Sequence, residues 1–153
     1  MTISEYLDLV QAAVKSMAEF SDIGVVVDHQ QDVESIQQQY LAKCSGYAVV
    51  IGEVSNRIAE KNMKGPMITL RFGVTIFSPK IIPDGEVTGA ALRDLVLRRI
   101  HNSKLFESKL CTLKARYKDG KTFIETDENE ERMIHATAFE SDLIYEPHPD
   151  LES

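Results

Sequence analysis

The sequence lacks the segments that would place it in a membrane or send it out of the cell. No apolar run approaches the roughly 20 residues that a membrane-spanning helix needs. The first residues, Met-Thr-Ile-Ser-Glu, have no basic flank, apolar core or small-residue cleavage site of the kind that marks a secretory signal. We therefore expect a chain that does not enter a membrane and remains in the cytoplasm in which it is made.

Residue patterns that carry chemistry are also scarce. The eight glycines are dispersed, with neither GxGxxG nor GxxxxGK, so nothing predicts a nucleotide site. Cys44 and Cys111 are isolated, lack CxxC spacing and lie in or beside apolar stretches, which predicts reduced packing thiols. The histidines have no metal-ligand spacing to one another: His29, His101, His135 and His148. We expect no cofactor and no metal.

Two places deserve comparison with known kinds of catalytic or metal site. His29 beside Asp28 is the best single candidate for acid–base work, but a polar pair at the end of a strand more often forms a turn. The acidic run 127–131 resembles a cation site only in charge, since it lacks the alternation and the turning glycine of an oxygen-ligand loop. The sequence therefore does not predict an enzyme.

Length and composition indicate one globular domain. The chain has 153 residues, of which 43% are hydrophobic and 27% charged, and a chain of this size buries about 70% of its unfolded surface. No repeat, low-complexity segment or linker divides it. We predict a single α+β domain over 1–146 and a polar, disordered tail over 147–153. The expected architecture is a mixed or antiparallel sheet of five to six strands with two main amphipathic helices packed on it.

The first third of the chain is predicted to hold a helix over 3–20, a strand over 24–27, a short polar helix over 32–41 and a strand over 47–54. The first helix rests on apolar residues at 3.6-residue spacing. Thr2 and Glu5 match a capping box, in which each side chain accepts from a backbone N–H of the first turn. The strand over 47–54 is expected inside the sheet, because it is a short, almost wholly apolar run.

The remainder is predicted to hold an exposed loop over 55–66, a strand over 68–76, a helix capped by Thr88, a hairpin turning at Asp119-Gly120 and a strand over 132–145. The strand over 68–76 rests on strict apolar–polar alternation. Asp-Gly between two strand-like runs is a strong short-range signal for a hairpin. The loop rests on its polar composition and on Gly65-Pro66.

Charge is unevenly distributed along the chain. The formal net charge of −7 disfavours a large duplex-binding surface. The helix after Thr88 nevertheless has a basic surface, and an acidic set follows later in the chain. These two sets are Arg93, Arg98 and Arg99, and Glu128, Glu130 and Glu131. Patches of opposite charge would suit copies that pack head to tail around a ring.

A pattern of elements links the chain to a known family. The strand Ile68-Thr-Leu-Arg-Phe-Gly-Val-Thr-Ile76 is followed by a turn, by Gly89-Ala-Ala-Leu-Arg-Asp-Leu-Val-Leu-Arg-Arg-Ile100 and later by Ile134-His-Ala-Thr-Ala-Phe139. Over residues 3–145 this order resembles the tail terminator proteins of long-tailed bacteriophages or prophages. The stretch 28–43 departs from the pattern, being polar and long for a plain strand connection.

The resemblance implies a specific non-enzymatic role. Such proteins form a hexameric ring that caps the finished tail tube, ends tube polymerisation and joins tail to head. The implied partners are further copies of the chain, the tail tube protein and head–tail connector proteins. The chain would be made in the host cytoplasm and end in the tail or neck of the particle. The expected contacts are the helix 88–102 and the loop 55–66, which carries Arg57, Lys61 and Lys64.

Two alternatives stay open. One is a small cytoplasmic enzyme or ligand-binding domain with a pocket between sheet and helices, which would need ionisable groups such as His29, His101 or His135 to converge in one cleft. The other is a different neck or tail-completion component of the same particle. That second alternative changes the partner of the protein but not its chemistry.

Overall fold

A computed structural model of the chain describes residues 2–29, 46–62, 65–82, 84–103, 114–127 and 130–144. Several predictions fall outside these ranges: the polar helix over 32–41, Cys44, Cys111 and the tail over 147–153. The boundary between the domain and its tail therefore stays a prediction.

The described elements are helix α1 (Ile3–Lys15), a short 3₁₀ turn (Ala18–Phe20), strands β1 (Gly24–Val27), β2 (Ala48–Asn62) and β3 (Gly65–Pro79), helix α2 (Gly89–Ile100), and strands β4 (Arg116–Asp127) and β5 (Glu130–Ile144). The strands form one sheet in the order β1-β2-β3-β5-β4. β1 pairs with β2 in parallel and the other pairs are antiparallel. This confirms an α+β fold with a mixed five-stranded sheet and two helices.

Both helices begin where the sequence predicts. Thr2 and Glu5 form the capping box at α1, and the Thr88 hydroxyl accepts a hydrogen bond of 3.0 Å from the Ala91 N–H at α2. Helix α1 ends earlier than expected, at Lys15, and a separate 3₁₀ turn brings Phe20 into the core. An N-cap of this kind stabilises a helix by about 1 kcal/mol.

The core lies between the helices and one face of the sheet, here called the helix face. Alternate residues of β3 point to it, and Leu70, Phe72, Val74 and Ile76 are completely buried. Phe72 stacks on Phe139 at 5.5 Å between ring centroids and meets the ring of Tyr6 edge-on at the same distance. The period of two predicted for this strand is therefore confirmed, with one face in the core.

The predicted loop over 55–66 is wrong. Residues up to Asn62 belong to β2 and residues from Gly65 belong to β3, and the two strands pair as far as Asn62 with Gly65. The side chains of 53–58 are all exposed, so no face is buried and no alternation of apolar residues marks the strand. The backbone ladder to β3 holds this part of β2, and hydrogen bonds between backbone groups do not depend on the side chains, so the composition gives no strand signal.

The predicted hairpin turn at Asp119-Gly120 is also wrong. Both residues lie inside β4, beside a β-bulge between Tyr117 and Asp119. A Cβ at Gly120 would lie 2.6 Å from the Tyr117 hydroxyl, so the glycine leaves room for that side chain. The antiparallel ladder runs to Asp127 opposite Glu130, so residues 128–129 connect the strands and the last strand begins two residues before the predicted 132.

Candidate assembly surfaces

The basic surface of α2 faces away from the core. Leu92, Val96 and Ile100 are completely buried at four-residue spacing, which fixes the buried side of the helix. Arg98 is exposed, and Arg93 and Arg99 are half-exposed. The Arg93 guanidinium lies 3.2 Å from the carboxylate of its neighbour Asp94, whereas Arg98 and Arg99 close the helix at its C-terminal end. The three arginines thus lie off the buried side of the helix, with Arg98 the most exposed, and their role in a contact stays a prediction.

The acidic set lies at the junction of β4 and β5. The Glu131 carboxylate makes an ion pair of 2.5 Å with Lys80, and the Lys80 N–H also donates to the Glu131 carbonyl oxygen. Glu130 is the first residue of β5, and Glu128 lies outside the described residues. Part of the predicted acidic surface is therefore neutralised within the same chain.

Arg57 represents the third predicted group of contacts. It lies on the exposed part of β2, its side chain is 68% exposed, and its guanidinium is 3.9 Å from the Glu140 carboxylate. Lys61 is also a residue of β2, and Lys64 lies outside the described residues. Since Arg57 pairs with Thr69 near the start of β3 while Lys80 follows the end of that strand, Arg57 and Glu131 are at opposite ends of the sheet.

A group of charged residues that the sequence did not indicate surrounds Glu140 on the face opposite the helices. This charged cluster comprises Arg57, Arg71, Arg116, Lys118, Asp119, Glu140 and Asp142. Lys118 lies 3.6 Å from the Glu140 carboxylate, and Arg116 lies 3.5 Å from that of Asp142. The side chains of Glu140 and Asp142 are 10% and 17% exposed, so the cations present more of their surface to solvent than these two acids do.

The residues of the charged cluster come from four strands, β2 to β5, so no sequence motif predicts the cluster. Arg71 pairs with Glu140 in the β3–β5 ladder, and Arg116 pairs with Glu140 in the β4–β5 ladder. Arg71 also makes an ion pair of 2.7 Å with Asp119. The one local signal is the spacing of Glu140 and Asp142 by two, which places both on one face of a strand.

The three described histidines, His29, His101 and His135, lie at three different places, and His148 is outside the described residues. The His29 ring nitrogen Nε2 lies 2.9 Å from the Asp8 carboxylate at the surface, so the partner of His29 is on α1. His101 follows α2, and its Nδ1 accepts from the Tyr117 N–H at 3.0 Å. His135 lies near the other end of that helix, beside Gly89. Each of the three described histidines thus has its own separate polar partner.

His135 is the buried ionisable group among the three. It is 5% exposed, and its Nδ1 lies 3.1 Å from the Thr122 hydroxyl. Burial lowers the pKa of His135, and the Arg93 guanidinium lowers the pKa further against an opposing effect of Asp94. The first turn of α2 packs tightly here, since a Cβ at Gly89 would overlap the buried Ser78 hydroxyl and come within 2.9 Å of the imidazole ring. These contacts hold the first turn of α2 against β3 and β5.

Neither a metal-binding group nor a membrane-spanning helix is present in the part of the chain that the structure describes. There, no group of three or more His, Cys, Asp or Glu residues is placed to hold a metal ion. No helix among the described residues has both the length and the apolar character to span a bilayer.

Comparison with known proteins gives a structural likeness at low sequence identity. No protein-family model matches the sequence, and no curated protein matches it. A chain of the virion of a native gene transfer agent particle is similar in structure, with a TM-score of 0.56 and 13% identity over 89% of this chain and 92% of that one. A second solved chain, named only by an identifier, is 13% identical over 96% of this chain and 100% of that one, with a TM-score of 0.46, which is too low for an inference. The first likeness shows a shared fold.

Proposed function

We propose that this protein is a non-enzymatic structural component of a phage-like particle, and that it acts as a tail terminator. In that role a ring of six copies caps the tail tube, ends its polymerisation and forms the surface that joins tail to head. The observation that carries the proposal is the fold shared with a chain of a gene transfer agent virion over nearly the full length of both. A virion chain of the same fold and size makes an assembly role the first expectation.

The distribution of side chains supports a role in contacts rather than catalysis. The three described histidines, which could act as acids or bases, occupy three different places. The charged cluster around Glu140 contains none of them and consists of Arg, Lys, Asp and Glu side chains paired with one another. Catalysis would call for such groups to converge. The net charge of −7 would suit a channel through which DNA passes without binding to its wall.

The proposed partners are further copies of the chain, the tail tube protein and head–tail connector proteins. The contacts would include the α2 surface with Arg93, Arg98 and Arg99, and the exposed part of β2 with Arg57. The chain would be made in the cytoplasm of a bacterial host and then become part of the particle. Neighbouring copies would meet through different surfaces, as a head-to-tail ring requires.

The direct test is to assemble particles with and without this chain in the host that encodes it, and to measure the tails by electron microscopy. We expect that removal of the chain gives tails of uncontrolled length that are not joined to heads. Supplying the chain from a plasmid should restore uniform, joined tails. Uniform tails that join heads in the absence of the chain would overturn the proposal.

A further inference from the structure

Two strands leave long edges open within the described part of the chain. β1 pairs with β2 only from Ala48 to Ile51, and no described strand pairs with that side of β2 from residue 53 to residue 62. We call this stretch the β2 edge. β4 pairs with β5 on one side, and no described strand pairs with its other side, which we call the β4 edge. Open edges present N–H and C=O groups to a further strand.

The direction of the backbone groups follows from one hydrogen bond. The Asp28 N–H donates to the Ile51 carbonyl oxygen at 2.8 Å, so the peptide groups of Ile51 point away from β3. Ile51 and its β3 partner Val74 are therefore a non-hydrogen-bonded antiparallel pair. In such a pair the N–H and C=O groups of each residue point away from the other strand. Pairs of this kind recur at every second residue along β3.

Counting from Val74 identifies the outward residues of the β2 edge. Leu70 and Ile68 are of the same kind as Val74, and their partners on β2 are Asn56 and Ile58. The N–H and C=O groups of Asn56 and Ile58 therefore point to the open side. The bulge between Glu53 and Ser55 adds a residue to β2. The count is therefore made along β3 and transferred to β2 through the paired residues.

The same count identifies the outward residues of the β4 edge. The N–H and C=O groups of Val74 face β5, so they bond to those of its partner Thr137. The backbone groups of His135, two residues from Thr137, face β3 in the same way. The β4 partner of His135 is Thr122, whose groups must then point away from β5. Ile124, two residues further along β4, points the same way.

The direction of the strands determines how a second copy could fit. β2 and β4 run in opposite directions, because three antiparallel pairs separate them in the sheet. A copy that continues the sheet with its helices on the same side therefore brings its β4 antiparallel to the β2 edge. The two edges of one copy differ, so this contact is heterologous and can repeat from copy to copy.

The end of β1 limits the register. With Ile124 opposite Ile58, Asp127, the last residue of β4, lies opposite Ser55. A shift of two residues toward β1 would place Asp127 opposite Glu53, next to the end of β1 and to Asp28, whose N–H bonds to Ile51. The first register therefore keeps β4 clear of the end of β1.

Side chains match in that register. Ile58 and Ile124 are 65% and 51% exposed in the single copy, and both lie on the helix face. On the opposite face the exposed Arg57 meets the exposed Glu125. Apolar cross-strand pairs and pairs of opposite charge each stabilise a ladder by about 0.2–1 kcal/mol.

We propose that copies of this protein join by strand addition, with β4 of one copy antiparallel to the β2 edge of the next and Ile124 opposite Ile58. The inference rests on the proposed self-assembly and specifies its contact. The receiving strand is residues 55–62 of β2, which are part of the wrongly predicted loop over 55–66.

A mixing experiment tests the pairing. Arg57→Cys and Glu125→Cys are prepared as separate variants, then oxidised alone and in mixture, with the wild type as the control for Cys44 and Cys111. Opposed residues of this kind have Cα atoms about 4.5 Å apart, within disulfide reach. We expect roughly tenfold more linked dimer in the mixture than in either variant alone. A mixture that links no better than the single variants would overturn the proposal.

A second pair of variants tests the backbone contact. Ile124→Pro removes an outward N–H and leaves the ladder to β5 intact, whereas Ile124→Val keeps the N–H. We expect the proline variant alone to weaken self-association, by roughly tenfold or more. Equal association of both variants would contradict strand addition. If the wild-type protein forms rings but the cysteine mixture forms no disulfide-linked dimer, the pairing of β4 with the β2 edge is rejected and self-assembly is retained. If neither rings nor linked dimers form, both the pairing and self-assembly are rejected.

Discussion

The two faces of the sheet are built on the same strands but differ in what they hold. On the helix face, β3 contributes completely buried residues such as Phe72 and Val74. On the opposite face, the same strand contributes Gly73 and Arg71, the second of which belongs to the charged cluster around Glu140. The opposite face also holds a small buried cluster, Ala48, Phe77 and Ile134, in addition to these residues. The helix face holds the larger core and is the main source of stability, whereas the exposed part of the opposite face, the strand edges and the exposed side of α2 remain for contacts. Variants should separate the two properties.

The largest effect is expected from Phe72→Ala. Phe72 is completely buried between Tyr6 and Phe139, so its removal leaves a cavity and should lower the free energy of unfolding by about 3–5 kcal/mol. Denaturant unfolding measures the change. Phe123→Ala, at a 39% exposed phenylalanine, is the control and should cost much less. Equal losses at the two positions would mean that the helix face is not the main source of stability.

Gly89→Ala should have the next largest effect. The added methyl group would overlap the Ser78 hydroxyl and crowd the His135 ring, and overpacking of this kind costs about 1–3 kcal/mol. Gly73→Ala is the matched control, because its Cβ would lie 3.6 Å from its nearest neighbours, an ordinary contact. Thermal melts of both variants would decide the matter. A neutral Gly89→Ala would show that α2 can shift on the sheet at little cost.

A double charge reversal at Arg98 and Arg99 tests the contact side of the comparison. Both residues lie in the last turn of α2 away from the core, so the change to Glu should lower the free energy of unfolding by only about 1 kcal/mol, because acidic side chains oppose the dipole at a helix C-terminus. Self-association should weaken, since the basic surface would become acidic on an already acidic chain. Sedimentation velocity and thermal melts give the two readouts. Unfolding of the double variant would contradict the assignment of this surface.

The smallest effect is a dependence of stability on pH through His135. Its pKa in the unfolded chain is near 6.5 and is lower in the folded protein, so the unfolded chain binds the proton more readily. Stability should therefore fall as the pH drops below about 6.5 toward the folded pKa, and should be unaffected by this residue above that range. His135→Gln removes the contribution. Melting temperatures measured at several pH values should fall less steeply for the variant than for the wild type.

How well the sequence predicted each element depended on whether one face is buried. Tyr6, Leu7 and Val10 on α1 and the alternating residues of β3 are buried, and each produced the periodicity from which its element was predicted. The exposed part of β2 buries no described side chain beyond Gly52, and its polar composition alone predicts a loop. Tertiary pairing determined that strand, and a single sequence does not display pairing.

The candidate site shows the same limit. Arg98 and Arg99 could be placed from helical spacing alone, because the helix fixes which residues share a side. Their proposed acidic counterpart was only partly foreseen, since Glu131 pairs with Lys80, which follows a different strand. The charged cluster needs four strands in register, and the Asp119-Gly120 pair was assigned to a turn when it lies beside a bulge. Ion pairs between distant strands can be read only once the topology is known.

The central claim is that copies of this protein assemble head to tail into a closed ring. The most direct measurement is the molar mass of the purified protein by light scattering across a range of concentration and salt, with negative-stain imaging of any large species. A closed head-to-tail ring should give one dominant species of about six copies, and that species should dissociate when salt screens the contacts. A strict monomer at every concentration, with no rings on the grid, would contradict it.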